Sequence, residues 1–327
     1  MKTPFLAGFV LCALTAFAQT KPLPRTADGH PDLQGIWTNA TLTPLERPAE
    51  FANKPFFTED EATAYEQKRV RDTDVDRPDD GSRNPDDLAR RAYNSAFFDR
   101  GTQIVRSRRT SLVVEPADGR IPAFTPGAQK RFDAARAYYA AHPADGPEDR
   151  NLSERCLMFS GVGPPMLPEP YNNNYQIFQT PTQVVIQAEM NHSNRVVPIG
   201  PNKAPLPVGV KHAGVQQWSG DSTGRWEGDT LVIETTNIKF NDQSHFGVAY
   251  GGGMSDENLR VTERFTRTTA DLITYRATVD DPTVYSKPWT IETSLVRAKG
   301  PLYEYACHEG NYGMTGILSG YRAQEKK

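Results

Sequence analysis

Gly224-Arg225-Trp226-Glu227-Gly228-Asp229-Thr230-Leu231-Val232-Ile233-Glu234-Thr235-Thr236-Asn237 decides the fold. A polar run turns at Glu-Gly-Asp and passes into a β-branched run with no helical period. That pattern is a tight hairpin between two strands, Gly228 supplying the positive φ that a two-residue loop demands.

The same grammar continues on both sides. From Tyr175 the period is two: Tyr175–Gln179, Val184–Glu189 and Arg195–Ile199 read as a meander, turning at Thr180-Pro181 and at Asn191–Asn194. A Pro/Gly-rich loop over 200–214 precedes the hairpin. Three longer strands follow, Leu259–Thr266, Leu272–Val279 and Trp289–Val296, with Pro282 and Pro288 bracketing the last connection. Leu302–Ala306 reads as a short closing strand before a Gly-rich tail.

Leu259, Val261, Phe265, Ile273, Tyr275, Val279, Trp289, Ile291 and Leu295 share one face of these strands. Arg260, Thr262, Arg264, Thr274, Arg276, Thr278, Thr290 and Glu292 share the other. Such alternation predicts a mainly β fold, an antiparallel up-and-down barrel or a strongly curved sheet with one solvated face.

The first half differs. One strand is expected at Leu33–Thr38, then a helical insertion over about 57–142. Thr58 with Glu61 is a capping box for a helix to about Arg71. Asn84-Pro85 opens a second helix, to Gly101, and Thr125-Pro126 a third, stopped by His142-Pro143. Ser111–Glu115 and Arg120-Ile121 read as a hairpin turning at Asp118-Gly119.

The first eighteen residues read as an export signal: Lys2, an apolar core from Phe5 to Leu14, and Ala16-Phe17-Ala18 before Gln19. Leu11 before Cys12 argues against a lipoprotein site. The expected location is periplasmic or secreted, with 19–327 as one β-rich domain. No run in the remaining chain approaches membrane-spanning length. With 37 basic and 40 acidic residues and no basic-aromatic stripe, nucleic acid is not an expected partner.

Beyond the signal only Cys156 and Cys307 remain, and two cysteines in an exported chain most simply form one disulfide. The plain alternative is a pair of buried free thiols. Closing a loop of about 150 residues is worth roughly 4–5 kcal/mol of chain entropy.

Two resemblances rest on quoted residues. Gly35-Ile36-Trp37, on a first strand, resembles the Gly-x-Trp start of lipocalin-like barrels. More extensively, five stretches resemble a family of exported proteins from soil and aquatic bacteria for which no activity is established. They are Pro31–Trp37, Gly224–Asn237, Glu263-Arg264-Phe265, Asp280–Pro282 through Pro288–Thr290, and Tyr303–Tyr312. That resemblance implies export and one continuous domain, and carries over no catalytic residue.

The densest polar clusters fall at strand ends. Glu189-Met190-Asn191-His192-Ser193-Asn194-Arg195 lies at a hairpin tip, and Cys307-His308-Glu309-Gly310-Asn311-Tyr312 follows the closing strand. If a barrel brings both to one rim, His192 and His308 are the acid–base candidates, with Glu189 or Glu309 to fix a tautomer. Arg195 and Asn311 are candidate ligand contacts, Arg195 for an anionic group. Trp218, Tyr285 and Tyr312 are candidates to line a mouth and stack on a planar ligand. The plainer reading makes the Asn and Ser residues backbone-bonded turns and the aromatics core.

Several chemistries lack their signature. His192, His212, His245 and His308 show no metal-ligand spacing, so no metal site is expected. Asp72–Asp76 starts like a calcium loop, but Arg77 and Arg83 occupy the slots that need Gly and Glu. No G-x-S-x-G elbow occurs, Gly161–Pro165 runs into prolines where a dinucleotide loop needs a helix, and Gly251–Gly253 lacks a P-loop lysine. No cofactor is expected. The sequence therefore points to an exported barrel that binds a small apolar or aromatic molecule. Its rival is a metal-free lyase, isomerase or hydrolase using His/carboxylate chemistry at the mouth, and an envelope scaffold is a third class.

Overall fold

The computed structural model of the chain describes residues 23–76, 94–200, 215–239 and 257–325. Within them lie ten β-strands and three α-helices. The strands are β1 Gly35–Thr38, β2 Val113–Glu115, β3 Asn174–Gln179, β4 Gln183–Ala188, β5 Asn194–Pro198, β6 Asp221–Glu227, β7 Thr230–Thr236, β8 Arg260–Thr269, β9 Leu272–Asp280 and β10 Trp289–Arg297. The helices are α1 Glu59–Thr73, α2 Pro126–Ala141 and α3 Tyr312–Glu325.

The strands form one antiparallel sheet in the order β5-β4-β3-β1-β10-β9-β8-β7-β6, with β2 added beside β10. Its two ends meet. Ile199, just past β5, bridges in parallel to Gly224 on β6, and the Gly200 N–H donates to the Gly224 carbonyl at 2.8 Å. The result is a nearly closed up-and-down barrel, mainly β as the alternation predicts. Parity explains the parallel seam: nine strands alternating in direction around a ring leave one neighbouring pair pointing the same way. A parallel pair needs a long crossover, and the connection from β5 to β6 is the Pro/Gly-rich stretch. At the seam Gly224 has a steric duty, since a Cβ there would stand 2.7 Å from Ile199 Cδ1 and 3.1 Å from Val197 Cγ1.

The hairpin that opened the reading is β6–β7, paired from Asp221–Thr236 to Glu227–Thr230, with Gly228 at φ 60°. The predicted apolar face is the barrel interior: Val261, Phe265, Ile273, Tyr275, Val279, Trp289, Ile291 and Leu295 are all buried. Trp37 and Tyr175 complete a core filled by side chains. Burying each large apolar side chain contributes about 1.5–3 kcal/mol. Three inward strand positions are charged, Arg195, Glu263 and Arg267. Glu263 lies between Val261 and Phe265, is wholly buried, and meets Arg195 from β5 in an ion pair with Nη2–Oε1 at 2.9 Å. The Tyr275 hydroxyl donates to Glu263 at 2.8 Å and accepts the Met166 N–H at 2.9 Å. This network ties the two sides of the seam together from within.

The insertion carries two of the three helices whose caps the sequence shows. Thr58 and Glu61 form the capping box of α1, and the Thr125 hydroxyl caps α2. Three expectations are corrected. Ser111–Glu115 does not form a hairpin with Arg120-Ile121; β2 joins β10 instead, while Gly119 still turns the chain at φ 73°. Most of the helix expected from Asn84 falls outside the described residues, and where description resumes the chain makes only a 3-10 turn, Ser95–Phe97, before extending. Leu302–Ala306 is not a strand, and the Gly-rich tail ends in α3. A strand there would need a free sheet edge beside it, and here both sheet edges are already joined at the seam. The region read as export signal, with Cys12, His212, His245 and Gly251–Gly253, lies outside the described residues.

Candidate functional site

The barrel has unlike ends. At one, β3–β4, β6–β7 and β8–β9 turn tightly. At the other, the insertion and the connections β4–β5, β7–β8 and β9–β10 emerge, as antiparallel alternation requires. The tail after β10 also returns to this second end, where the Tyr303 N–H donates to Glu189 Oε1 at 3.3 Å. Cys307 then bonds Cys156 (S–S 1.98 Å, Cα–Cα 5.7 Å), which settles the open question of the two thiols.

Beneath the tail lies a second, small apolar cluster of Leu152, Met158, Phe159, Val162 and Met190, with Tyr171, Trp218, Tyr305 and Cys307 against it. Tyr305 packs edge-on to Phe159 at 5.6 Å and stacks with Tyr171 at 6.4 Å. Beside these rings a cavity of about 340 Å³ is lined by Phe97, Phe98, Tyr171, Asn172 and Tyr305. A broader depression of about 410 Å³ runs along the seam past Asn194, Arg195 and Trp218.

Three acidic residues lie on the segments around this end, outside the lining of the aromatic cavity. Glu169 accepts from the Ser160 hydroxyl in a short hydrogen bond and from the Gly161 N–H at 3.2 Å. A Cβ on Gly161 would meet Glu169 Cγ at 3.0 Å, so glycine allows that approach. Burial pushes the Glu169 carboxyl up to about 7, against the pull of the Gly161 and Ser160 backbone N–H groups. Asp99 is raised as well, by desolvation first and by the charge of Glu189 second. Glu189 is only 3% exposed and accepts from Asn174 Nδ2 at 2.6 Å. Asn173 joins the walls: its Nδ2 donates to the Asp99 carbonyl at 2.5 Å and the Glu169 carbonyl at 2.8 Å, while its Oδ1 accepts the Glu169 N–H at 2.7 Å. A carboxyl titrating near neutrality beside a hydroxyl can take or give a proton.

The residues singled out in the sequence distribute as follows. Glu189 and the segment leading to Cys307 do meet at one end, through Tyr303. His192 is exposed in a left-handed conformation (φ 49°), with Nε2 3.0 Å from Gln187 Nε2. His308 and Glu309 are exposed in the tail. Arg195 is buried with its charge answered by Glu263. Trp218 carries the Lys239 ammonium on its ring at 4.6 Å. Tyr285 is 2% exposed, packed between Phe124 and Trp289, and its hydroxyl is raised by burial. Asn311 Nδ2 reaches the Glu154 carbonyl at 3.4 Å and Cys156 Sγ at 3.5 Å, whereas Tyr312 is 82% exposed.

Sequence reasoning passed over Asp99, Ser160, Glu169 and Glu263. For Glu263 a signal existed, an acidic residue at an inward position of an apolar alternation. Glu169, between Pro168 and Pro170, gives none, because no period reaches it. Among the described residues no group of three or more His, Cys, Asp or Glu is placed to hold a metal ion, and no helix is long and apolar enough to cross a membrane. Comparison with protein-family models, with curated proteins and with solved structures gives no match to the chain.

Proposed function

We propose that this protein binds a small, mainly apolar or aromatic molecule at the end of the barrel where the long connections emerge. The observation that carries this reading is the 340 Å³ cavity with four aromatic residues in its lining. It stands in contrast to a barrel interior already filled by Trp37, Tyr175, Phe265, Tyr275 and Trp289. Concave, largely apolar surfaces with a few polar groups are where small ligands settle. Phe97 in that lining is 61% exposed, an apolar surface with a use if a ligand covers it. Export by the N-terminal segment and a single domain over 19–327 belong to the same reading, and the disulfide supports an oxidising compartment.

The test is fluorescence titration with 1-naphthol as a neutral aromatic probe. Saturable binding should be lost in Tyr305→Ala and Phe97→Ala, both on coil or turn segments, with the melting temperature unchanged. Loss in Tyr312→Ala or Trp218→Ala instead would move the site to the tail or the seam.

A second reading, metal-free acid–base catalysis, is favoured by Glu169, whose carboxyl near 7 touches the Ser160 hydroxyl. It predicts turnover of an activated ester such as p-nitrophenyl acetate, following an ionisation near 7 and absent from Glu169→Gln. Loss of turnover in His308→Ala with retention in Glu169→Gln would return the chemistry to the imidazoles.

A further inference from the structure

The barrel closes at one point of its seam and is open beside it. Among the described residues β5 and β6 share no ladder, only the Ile199–Gly224 bridge with its Gly200 N–H bond. From there the strands continue as opposite walls of the 410 Å³ depression. Asn194, Arg195, Val196 and Pro198 line one side, and Gly220, Asp221 and Ser222 the other.

Alternation fixes where the backbone groups of these walls point. The Ser193 carbonyl accepts the Ala188 N–H, and the Ile199 N–H donates to the Thr182 carbonyl, so the odd residues of β5 face β4. Asn194 and Val196 therefore turn N–H and C=O toward the seam, and Pro198, which lacks an N–H, turns its carbonyl there. On β6 the Gly224 carbonyl faces the seam, and Ser222, two residues earlier, does the same. An unpaired edge of this kind is a template for a further strand. Parity favours one. Nine alternating strands leave β5 and β6 parallel, and a strand laid between them runs antiparallel to both.

Side chains indicate its character. Phe178, Val185 and Val196 stand directly opposite one another across β3, β4 and β5. Phe178 is 44% and Val196 53% exposed, so this outer apolar line stops unfinished at the open edge. An apolar neighbour of Val196 on an added strand would extend it. Inward, Arg195 and Val197 already fill the core, so small residues suit that side.

We propose that the open seam takes an extended peptide segment of a partner protein as a short tenth strand, with an apolar side chain beside Val196. At the usual strand rise the edge from Asn194 to Pro198 spans about 14 Å, room for about four residues. Main-chain pairing supplies the affinity and the position beside Val196 the selectivity. The site shares no lining residue with the aromatic cavity and stands whether or not that cavity binds a small molecule.

The experiment is calorimetric titration of the full chain with an acetylated, amidated heptapeptide alternating serine and valine, and with the same peptide N-methylated at each valine. The first should bind saturably and the second at least tenfold more weakly, and 1-naphthol should displace neither. Val196→Pro removes a seam-facing N–H without touching the β4 ladder, and should weaken the peptide at least tenfold. Val196→Thr, which keeps that N–H and the side-chain shape, should stay within threefold. Circular dichroism and thermal melting check folding, and if Val196→Pro does not fold the N-methylated peptide decides. Equal affinity for the two peptides, or no saturation by either, overturns the proposal. Self-association lost in Val196→Pro, with the peptide excluded, also overturns it and puts a second copy at this edge.

Discussion

The two ends of the barrel answer the same problem, how to finish a strand, in opposite ways. At the tight end the chain turns back within a few residues, and the N-terminal strap covers what is left. His30 stacks on Trp226 at 4.5 Å, Arg25 pairs with Asp229 at 2.7 Å, and Arg297 lies over Trp37 at 4.5 Å. The Arg25–Asp229 pair there is exposed, and among the described residues the one deeply buried cation, Arg267, is held by the Asp32, Thr269 and Ala270 carbonyls. At the other end the connections are long, the tail is pinned by a disulfide, and carboxyls are held where burial raises them. Raised carboxyls cost stability at neutral pH, so the second end is where the molecule carries local conflict, and conflict of that kind concentrates at functional sites.

The largest expected effect breaks the network beneath the second end. Glu263→Gln leaves Arg195 as a buried charge without its partner, and chemical denaturation should show a loss of about 3–5 kcal/mol. A double replacement, Arg195→Met with Glu263→Leu, should recover most of it, because the pair's absence is cheaper than its half. Next, Cys156→Ser with Cys307→Ser should cost about 2–4 kcal/mol and release the tail from the mouth, read as new protease cleavage between 298 and 311.

A smaller effect has a sign set by the raised carboxyls. Folded Glu169 holds its proton to about 7, whereas in the unfolded chain it would lose it near the ordinary value of 4.5. Between those pH values the folded state binds more protons, so stability is greatest below about 4.5 and falls as pH rises to about 7. The loss is on the order of 2 kcal/mol once partial exposure is allowed for. The melting temperature of Glu169→Gln should be flatter over that range, and an unchanged slope would refute the burial of this group. The smallest effect belongs to the tight end: Gly228→Ala meets open space at φ 60°, so only the backbone objects, by about 1 kcal/mol. If that substitution cost more than breaking the disulfide, the contrast between the ends would fail.

Much of the fold was legible because its signal is local. The period of two in Leu272–Val279, the corner at Gly228 and the capping box at Thr58 each depend on residues within a few positions of one another. Comparatively little of the site was, since its parts come from far apart. Phe98, Tyr171 and Tyr305 share a cavity, and no pattern in any one of their segments announces it. The strand-end histidines drew notice by residue type, yet His192 and His308 are both exposed, while Glu169 sits unheralded between prolines.

By itself the sequence determined a mainly β chain with strands, hairpin turns and helix caps in named places, because side-chain alternation, φ preference and capping act over short range. Only the tertiary structure decided that nine strands close with one parallel seam at Gly224, that Arg195 is spent on Glu263, that the tail returns to build an aromatic cavity, and that burial raises Glu169. Those outcomes depend on ring parity, on burial and on contacts between residues up to hundreds of positions apart, and burial is a property that no residue possesses before the chain has folded around it.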